Sequence, residues 1–353
     1  MSKYKSARLS TMVPYVPGEQ PRERTYIKLN TNESPFPPRE AVTEAAKRAA
    51  ATCHLYSDPE VTALTAKLAE RYGVEPENVL VTNGSDEILN FFFMAFCDEE
   101  SGVSYPDISY GFYSVFAGLY SIPAKVIPLD GELCIRPEDW YGLGTNVVLA
   151  NPNAPTGRYL TPAEVEGIVA ANPDRVVVID EAYIDFGGET VAPLTKKYSN
   201  LLVTGTFSKS RALAGARVGF GIADASLIED LRQIKYSTNP YNVNSASAAM
   251  ALAALAEDEV YMDRCRTVME NRTFVTDGLE ALGFTVIPSM ANFVFAKSER
   301  IGGKALYLAL KERGILVRHF SNPRISDYNR ITVGTREQME ALLEAVKAIL
   351  EEK

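Results

Sequence analysis

The stretch that decides the fold is Thr206-Phe-Ser-Lys-Ser-Arg-Ala-Leu-Ala-Gly-Ala-Arg-Val-Gly-Phe220. It places Lys209 directly after a hydroxyl residue and Arg217 eight residues further on. Upstream, the apolar run Val176–Ile179 leads into Asp180-Glu-Ala-Tyr183. An isolated Ser-Lys pair is most often part of a surface turn, so the interpretation of Lys209 depends on the segments around it.

Short apolar runs separated by helical segments predict the fold class. We expect an amphipathic helix over 88–96 and strands at five runs, namely 79–82, 147–150, 176–179, 201–204 and 218–222. Strands that are buried on both faces and alternate with helices are typical of α/β folds with a mainly parallel central sheet.

The pattern changes after the polar loop at 236–244. A long alanine-rich helix is predicted from Ser245 to about Asn271, followed by strands near 285–287, 293–295 and 330–333 and a final helix over 337–352. This mixture predicts a smaller α+β domain. The prolines from Pro14 to Pro38 exclude regular helix from their part of the N-terminal segment.

We therefore expect four parts. Residues 1–40 form an N-terminal segment that packs with the small domain, and residues 41–245 form the large domain. A connecting helix over 246–270 leads to the small C-terminal domain, 271–353.

Composition excludes several classes of function. The 353-residue chain carries a net charge of −9, which argues against a nucleic-acid partner. It has only two histidines, His54 and His319, and its four scattered cysteines show no metal-ligand spacing, so no metal site is expected. Unpaired cysteines and the lack of a long apolar run favour a reduced, cytoplasmic setting without a membrane partner.

Further polar segments follow the predicted strands. Asn83-Gly-Ser85-Asp86 lies where a strand meets a helix, a position that favours an anion. Tyr110 offers a flat ring, and the loop Asn151–Gly157 has a composition that specifies its shape. Each segment taken alone is explained as well or better by an ordinary cap, turn or packing residue.

Taken together, these segments contain the groups that hold pyridoxal phosphate. A lysine amine forms a Schiff base with the cofactor aldehyde, and a buried aspartate keeps its ring nitrogen protonated. Serine and threonine hydroxyls with an arginine can hold a phosphate. The combination predicts that Lys209, Asp180, Thr206, Ser208 and Arg217 bind this cofactor.

At this point the chain resembles a known family, the fold-type I pyridoxal-phosphate-dependent aminotransferases, and within it the histidinol-phosphate aminotransferases. The matching segments follow the family's order from Val13 to Arg336. They include Pro-Tyr-Val-Pro-Gly, Leu-Asn-Thr-Asn-Glu-Ser-Pro, Thr-Asn-Gly-Ser-Asp-Glu, Asp-Glu-Ala-Tyr, Leu-Ala-Gly-x-Arg and Arg-Ile-Thr-Val-Gly-Thr.

The resemblance implies a role for each matching residue. Lys209 corresponds to the Schiff-base lysine, Asp180 to the partner of the ring nitrogen, and Tyr183 to the donor to the cofactor's O3′. The phosphate would be held by Thr206, Ser208 and Arg217 with the Ser85 and Asp86 amides, and Tyr110 would stack on the ring. Tyr56 resembles a tyrosine that reaches the neighbouring subunit's cofactor phosphate, which implies a homodimer. The expected substrate-binding residues are Tyr15, Asn32, Arg318 and Arg330.

Two positions depart from the family pattern. Ala154 stands where most relatives have an asparagine that bonds O3′, so either Asn153 substitutes for it or Tyr183 acts alone. Arg211 stands where an uncharged residue is usual, and it offers a rival to Arg217 as the phosphate ligand.

The implied reaction is a ping-pong transamination, with histidinol phosphate and 2-oxoglutarate as the expected pair. An aromatic amino-acid aminotransferase and a decarboxylase of a phosphorylated amino acid remain alternatives, because fold and cofactor machinery do not decide the substrate. A non-catalytic regulator that binds the cofactor is a third alternative. It is disfavoured because such proteins usually carry an added DNA-binding segment, which has no room here outside the matched region.

Overall fold

The computed structural model describes residues 2–6, 9–10 and 12–352. Met1 and Lys353, the outer ends of the predicted N-terminal segment and small domain, lie outside the described residues. In the part described, no helix has the length and apolar character needed to cross a membrane.

Ten α-helices with defined bounds lie in the described part of the chain and are numbered in chain order. Their bounds are α1 Glu40–Ala50, α2 Thr62–Tyr72, α3 Ser85–Phe96, α4 Phe112–Tyr120, α5 Pro162–Ala170, α6 Ala225–Thr238, α7 Ser245–Ala256, α8 Asp258–Ala281, α9 Gly303–Glu312 and α10 Arg336–Glu351. Short 3-10 helices lie at Pro76–Asn78, Pro137–Trp140, Ile184–Phe186, Ala192–Lys196 and Ala214–Ala216.

The strands form three sheets. Their bounds are β1 Ile27–Lys28, β2 Val79–Thr82, β3 Val103–Pro106, β4 Ala124–Ile127, β5 Asn146–Ala150, β6 Val177–Asp180, β7 Leu201–Thr206, β8 Gly219–Ala223, β9 Phe284–Ile287, β10 Phe293–Ser298, β11 Ile315–Leu316, β12 Arg318–His319 and β13 Asn329–Thr332.

The central sheet has seven strands in the order β2-β8-β7-β6-β5-β3-β4. All neighbours are parallel except β8, which runs antiparallel to both β2 and β7. Valine, leucine and isoleucine fill β5, β6 and β7 because helices cover both faces of the sheet, and these strands are buried along almost their whole length. The predicted α/β class with a mainly parallel sheet is confirmed.

Two strands of this sheet were not predicted. β3 carries Ser104 and Pro106, which weaken the apolar pattern. β4 lies at the sheet edge with Ala124, Lys125 and Val126 exposed, so it needs few apolar residues. Their positions are set by pairing with neighbouring strands rather than by their own composition.

A four-stranded antiparallel sheet, β12-β13-β10-β9, forms a second structural unit beside the central-sheet unit. Its core includes Phe293, Val294 and Ile331 together with apolar side chains of α8 and α10. Sheet and helices give the predicted α+β composition of this part.

Helix α8 joins the two cores. Its first turns place Tyr261 in the core of the central sheet, whereas Cys265, Val268 and Val275 lie in the second core. The single helix predicted from Ser245 is wrong, because the chain divides at Glu257 into α7 and α8. The predicted domain boundaries themselves stay a prediction.

The N-terminal segment contacts the second unit along its length. β1 pairs in parallel with β11, and the Arg24 guanidinium donates to the carbonyl oxygens of Lys311 and Glu312. Glu19 accepts hydrogen bonds from Tyr307 and Lys311. These contacts hold residues 15–32 over the edge of the central sheet, where the candidate site lies.

Candidate active site

A cavity of about 190 Å³ opens where the parallel strands end. Ala150, Asp180 and Thr206, the last residues of β5, β6 and β7, line it. Open α/β sheets bind ligands at this edge. The other lining residues are Thr31, Glu33, Ser85, Asp86, Tyr110, Ala154, Ala182, Tyr183, Ser208, Lys209, Ala214 and Arg217.

One end of the cavity is built to receive an anion. Helix α3 begins at Ser85 with its free backbone N–H groups at the cavity, and this end of the helix carries partial positive charge. Gly84 has a φ of 84°, and a Cβ added to Gly219 would lie 2.2 Å from the Ser85 nitrogen. Only glycine at these two positions lets β8 pass so close to the helix N-terminus.

Hydroxyls and a guanidinium surround the same end. Thr206 Oγ1 lies 2.9 Å from Ser208 Oγ, and Arg217 Nη1 lies 3.3 Å from that same oxygen. Arg217 Nη2 pairs with Asp86 at 3.1 Å, and Arg217 has a left-handed φ of 53°. A non-glycine residue in this region is uncommon, and here it turns the guanidinium towards the cavity.

Asp180 also lines this cavity and is almost fully buried. Its carboxylate accepts hydrogen bonds from the Tyr113 hydroxyl at 3.1 Å and from the Ala182 N–H at 3.3 Å. Burial raises the pKa of Asp180 to about 7. Among the described residues no lysine or arginine forms an ion pair with it, so this carboxylate is suited to a cationic ligand.

Lys209 and Tyr183 lie near each other in the wall of the same cavity. The Lys209 ammonium lies 5.7 Å from the centre of the Tyr183 ring and 3.4 Å from the Thr31 carbonyl oxygen. The Tyr183 hydroxyl accepts a hydrogen bond from Asn32. Lys209 therefore reaches the cavity without being held in an ion pair.

Tyr110 forms part of the cavity wall. Its hydroxyl donates to Asp86 at 2.7 Å, and both burial and the Asp86 carboxylate raise the pKa of Tyr110. The ring packs edge to face on Tyr113. The phenol is thereby fixed in its neutral form.

A second, larger cavity of about 450 Å³ adjoins the first. The two share Thr31, Tyr110, Ala154, Tyr183 and Lys209. Four residues predicted for substrate binding line the second cavity, namely Tyr15, Asn32, Arg318 and Arg330.

Arg330 is the deeper of the two arginines in this cavity. Its Nη2 donates to the Asn30 carbonyl oxygen at 3.0 Å, and Phe293 and Phe320 lie against the guanidinium. Its Nε is buried without a hydrogen-bond partner, and burial lowers the pKa of the group. An unsatisfied guanidinium next to a cavity is suited to a carboxylate or phosphate.

Arg318 lies nearer the surface and binds the N-terminal segment. It donates to the carbonyl oxygens of Pro17 and Val16 at 3.2 and 3.1 Å. Tyr15, beside them, stacks on Phe112 of α4 at a centroid distance of 4.4 Å. The segment therefore bridges from the second unit to the central-sheet unit across the cavity mouth.

Two predicted site residues line neither cavity. Asn153 is buried, and its amide is fully used by Ile108, Ser109 and Thr156. Ala154 lines the cavities and Asn153 points into its own loop, so the structure gives no support to the suggestion that Asn153 substitutes for the missing asparagine, and that suggestion stays a prediction.

Tyr56 is the other residue outside both cavities. It is 83% exposed and stacks on Tyr241 at a centroid distance of 4.6 Å. Its predicted contact with the cofactor phosphate of a neighbouring subunit stays a prediction.

The geometry favours one of the two candidate arginines as the phosphate ligand. Arg217 lines the cavity, whereas the buried Arg211 guanidinium is turned towards Asp185 and Asp258. Sequence reasoning missed Tyr113, the partner of Asp180, although it lies one helical turn after Tyr110. It also missed Thr31 and Glu33, which reach the cavity only through the path of the N-terminal segment.

The first cavity fits pyridoxal phosphate. A phosphate would find the α3 N-terminus, the Thr206 and Ser208 hydroxyls and Arg217. A protonated ring nitrogen would give the unpaired Asp180 the cation it lacks. Among the described residues no group of three or more His, Cys, Asp or Glu could hold a metal ion.

Comparisons with known proteins agree with this geometry. The family model for aminotransferase class I and II matches residues 24–346. The chain is 48% identical over 351 residues to histidinol-phosphate aminotransferase 2 of Thiobacillus denitrificans, covering 99% of this chain and 98% of that protein. It is 49% identical over 354 residues to histidinol-phosphate aminotransferase 1 of Bordetella parapertussis, covering 99% of each.

A solved structure shows the same fold. Histidinol-phosphate aminotransferase from Sinorhizobium meliloti, in complex with pyridoxal-5′-phosphate, aligns with a TM-score of 0.89 at 22% identity, covering 100% of this chain and 99% of that one. The chain belongs to the class I and II aminotransferases and, among these, to the histidinol-phosphate aminotransferase family.

Proposed function

We propose that this protein is a pyridoxal-phosphate-dependent aminotransferase that transfers the amino group of histidinol phosphate to 2-oxoglutarate, giving imidazole-acetol phosphate and glutamate. The observation that carries the proposal is the single cavity in which Lys209, the unpaired Asp180 and the anion-binding end of α3 meet. The substrate follows from the names of relatives that match over the full length of the chain.

When bound, pyridoxal phosphate supplies a ring that withdraws electrons from the carbon bearing the amino group. Asp180 supports this chemistry by keeping a proton on the ring nitrogen. Arg217, Ser208 and Thr206 would hold the phosphate, and Tyr110 would pack against the ring. The Tyr183 hydroxyl would donate to O3′.

Lys209 acts as both the attachment point and the proton carrier. Its amine, when not engaged by the cofactor, would be the group that moves a proton at the substrate Cα. The Lys209 ammonium lies near Tyr183 and the Thr31 carbonyl, among the residues shared by the two cavities, which supports this role.

The second cavity would hold the substrate's anionic end. Glutamate offers a carboxylate, whereas histidinol phosphate has no α-carboxylate and carries a phosphate at a different point. Arg330 has a free Nε, and Arg318 and Tyr15 lie in the same cavity. Two arginines suit an anion at either position, and they are harder to explain for a purely aromatic substrate.

The proposal includes a homodimer whose partner contributes to each site. Tyr56 and its neighbour Leu55 are strongly exposed, and stacking on Tyr241 holds the Tyr56 ring outward. Large apolar side chains grouped on a surface are typical of an interface. Tyr56 of one subunit would contact the cofactor phosphate of the other. A cytoplasmic location also belongs to the proposal, in line with four free cysteines.

A panel of amino donors tests the function. The purified protein is loaded with pyridoxal phosphate and given histidinol phosphate, phenylalanine or aspartate with 2-oxoglutarate, and glutamate formation is measured. We expect histidinol phosphate to have the highest kcat/KM. A higher value for phenylalanine would overturn the substrate assignment while leaving the aminotransferase class intact, and no transamination with any donor would overturn the class.

A further inference from the structure

A cluster of four charged side chains, in which Arg211 is buried and the other three are partly buried, lies beside the site, and the proposed reaction does not use it. Arg211 Nη1 lies 3.1 Å from Asp185 Oδ2, and its Nη2 lies 2.5 Å from Asp258 Oδ1. Arg71 completes the cluster, 3.6 Å from Asp185 and in contact with Asp258. In this cluster the two guanidinium groups therefore alternate with the two carboxylates.

The cluster connects elements that are distant in the chain. Arg211 lies two residues after Lys209, and Asp185 lies two residues after Tyr183. Asp258 begins helix α8, which joins the two cores, and Arg71 belongs to α2. Ser210 strengthens the link, because its hydroxyl donates to Asp185 at 2.5 Å and accepts from Arg211 Nη1 at 2.9 Å.

Stability alone does not explain this arrangement, because removing its charged groups from water costs free energy. The Arg211 side chain is only 4% exposed, and taking a guanidinium out of water carries a large desolvation cost that ion pairs only partly offset. Replacing such a cluster by apolar residues is often neutral or stabilising. Its geometric effect is more specific, because one guanidinium fixes the loop after Lys209 against the turn after Tyr183.

We propose that Arg211 is a positioning residue for Lys209. It holds the lysine loop at a fixed distance from Tyr183 and from the start of α8, so that the Lys209 amine meets the cofactor aldehyde in the correct geometry. The inference rests on the proposed function, because it concerns the same lysine and the same cofactor. It assigns to Arg211 no contact with the phosphate, the ring or the substrate.

The test compares Arg211→Met and Arg211→Lys with wild type. Each protein is saturated with pyridoxal phosphate and reduced with borohydride, and the fraction of chains carrying the cofactor covalently is measured by mass spectrometry. We expect nearly one label per chain in wild type and a clearly smaller fraction in Arg211→Met. A misplacement of about 1 Å costs on the order of a hundredfold in rate, so kcat should fall by about that factor. KM for histidinol phosphate should stay within about threefold, because Arg330 and Arg318 lie outside the cluster.

The two arginine variants have different expected outcomes. Lysine keeps the charge but cannot bind two aspartates through a planar fork, so Arg211→Lys should recover only part of the lost label and kcat. Arg313→Met serves as the matched control. It breaks an ion pair with Glu352 far from the site and should leave label and kcat at wild-type values.

The results separate this proposal from the function it rests on. Wild-type label and kcat in Arg211→Met, with only a lower melting temperature, would overturn the positioning role and leave the proposed function standing. A wild-type protein that neither takes up label nor transaminates would overturn both. Should Arg211→Met fail to fold, Asp258→Asn carries the same test, since it removes one of the two anchors of Arg211, and unchanged label and kcat in that variant would overturn the proposal.

Discussion

Asn32 Nδ2 donates a hydrogen bond to the Tyr183 hydroxyl oxygen at a distance of 2.9 Å. Asn32 is itself fixed, because its backbone N–H and its Oδ1 both bond the Thr332 hydroxyl. The phenol oxygen of Tyr183 therefore already accepts one bond, and its own proton remains for donation into the cavity. The small sheet thus orients a residue of the cofactor cavity through one amide.

Asn32→Ala should lower kcat by about fivefold, because a net hydrogen bond contributes about 1 kcal/mol to holding the Tyr183 hydroxyl in place. Steady-state kinetics with histidinol phosphate measures this. Asn90→Ala, whose amide bonds Tyr120 and Met94 outside both cavities, is the control. An Asn32→Ala enzyme with wild-type kcat would show that Tyr183 needs no orienting partner.

Lys209→Ala should abolish both turnover and the visible absorbance of lysine-bound cofactor, because no other lysine lines either cavity. Absorption spectra after addition of pyridoxal phosphate measure this. Lys297→Ala, on β10 outside both cavities, should keep the band. If the band persists unchanged in Lys209→Ala, another residue carries the cofactor.

The proposed dimer predicts that two inactive variants restore each other. Tyr56→Phe removes the hydroxyl that reaches the partner's site, and Lys209→Ala removes the attachment point. Refolding an equal mixture gives hybrid dimers in which one site has both residues, so about one quarter of wild-type activity should return. Light scattering of each variant checks that both are dimers. No recovery from a mixture of folded dimers would contradict the shared site.

Arg330→Ala should weaken both half-reactions by roughly thirtyfold to several thousandfold, since removing a buried charged contact costs on the order of 2–5 kcal/mol. Arg318→Ala should have a smaller effect, because that guanidinium is already engaged by the Val16 and Pro17 carbonyls. Single-turnover rates with each substrate measure both effects. Equal losses of rate in the two variants would contradict the prediction that Arg330 contributes more to the reaction than Arg318.

Two adjacent buried carboxyls predict how the stability of the cofactor-free protein depends on pH. Burial raises the pKa of Asp180 to about 7 and that of Glu181 to about 8. Between about pH 4 and these values the folded state binds more protons than the unfolded chain, so the free energy of unfolding falls as the pH rises, by up to a few kcal/mol per group.

Asp180→Asn and Glu181→Gln should each flatten this dependence, because each removes one of the two groups. Melting temperatures of the cofactor-free proteins from about pH 5 to pH 8.5 measure it. Glu164→Gln, at the exposed start of α5, is the control. A wild-type melting temperature that rises steadily over this range would contradict the prediction.

Much of the fold could be predicted because the strands of the central sheet are buried on both faces. β5, β6 and β7 read as continuous apolar runs for that reason. The division at Glu257 could not be predicted in this way, since the sequence favours helix on both sides of the break. Asp258, the first residue after the break, contacts Arg211, and a contact between residues far apart in the chain is not visible in the local pattern.

The residues of the candidate site could likewise be predicted from the sequence only in part. Motif position placed Lys209, Asp180 and Arg217 in one cavity because strand ends converge at one edge of the sheet. The role suggested for Asn153 stays a prediction, because the shape of its loop, not its residue type, determines where the amide points, and here the amide bonds Ile108 and Thr156. The cluster around Arg211 was not visible in the sequence, since ion pairs between distant segments leave no periodic pattern.

The partial overlap of the two cavities has an evolutionary consequence. Residues that line both, such as Lys209 and Tyr183, must satisfy cofactor and substrate at once, so few replacements are open to them. Of the two cavities, Arg318, Phe320 and Val16 line only the larger one. In the proposed function, only the substrate therefore constrains these side chains. New specificities can therefore arise by drift in this outer group while the inherited chemistry stays intact.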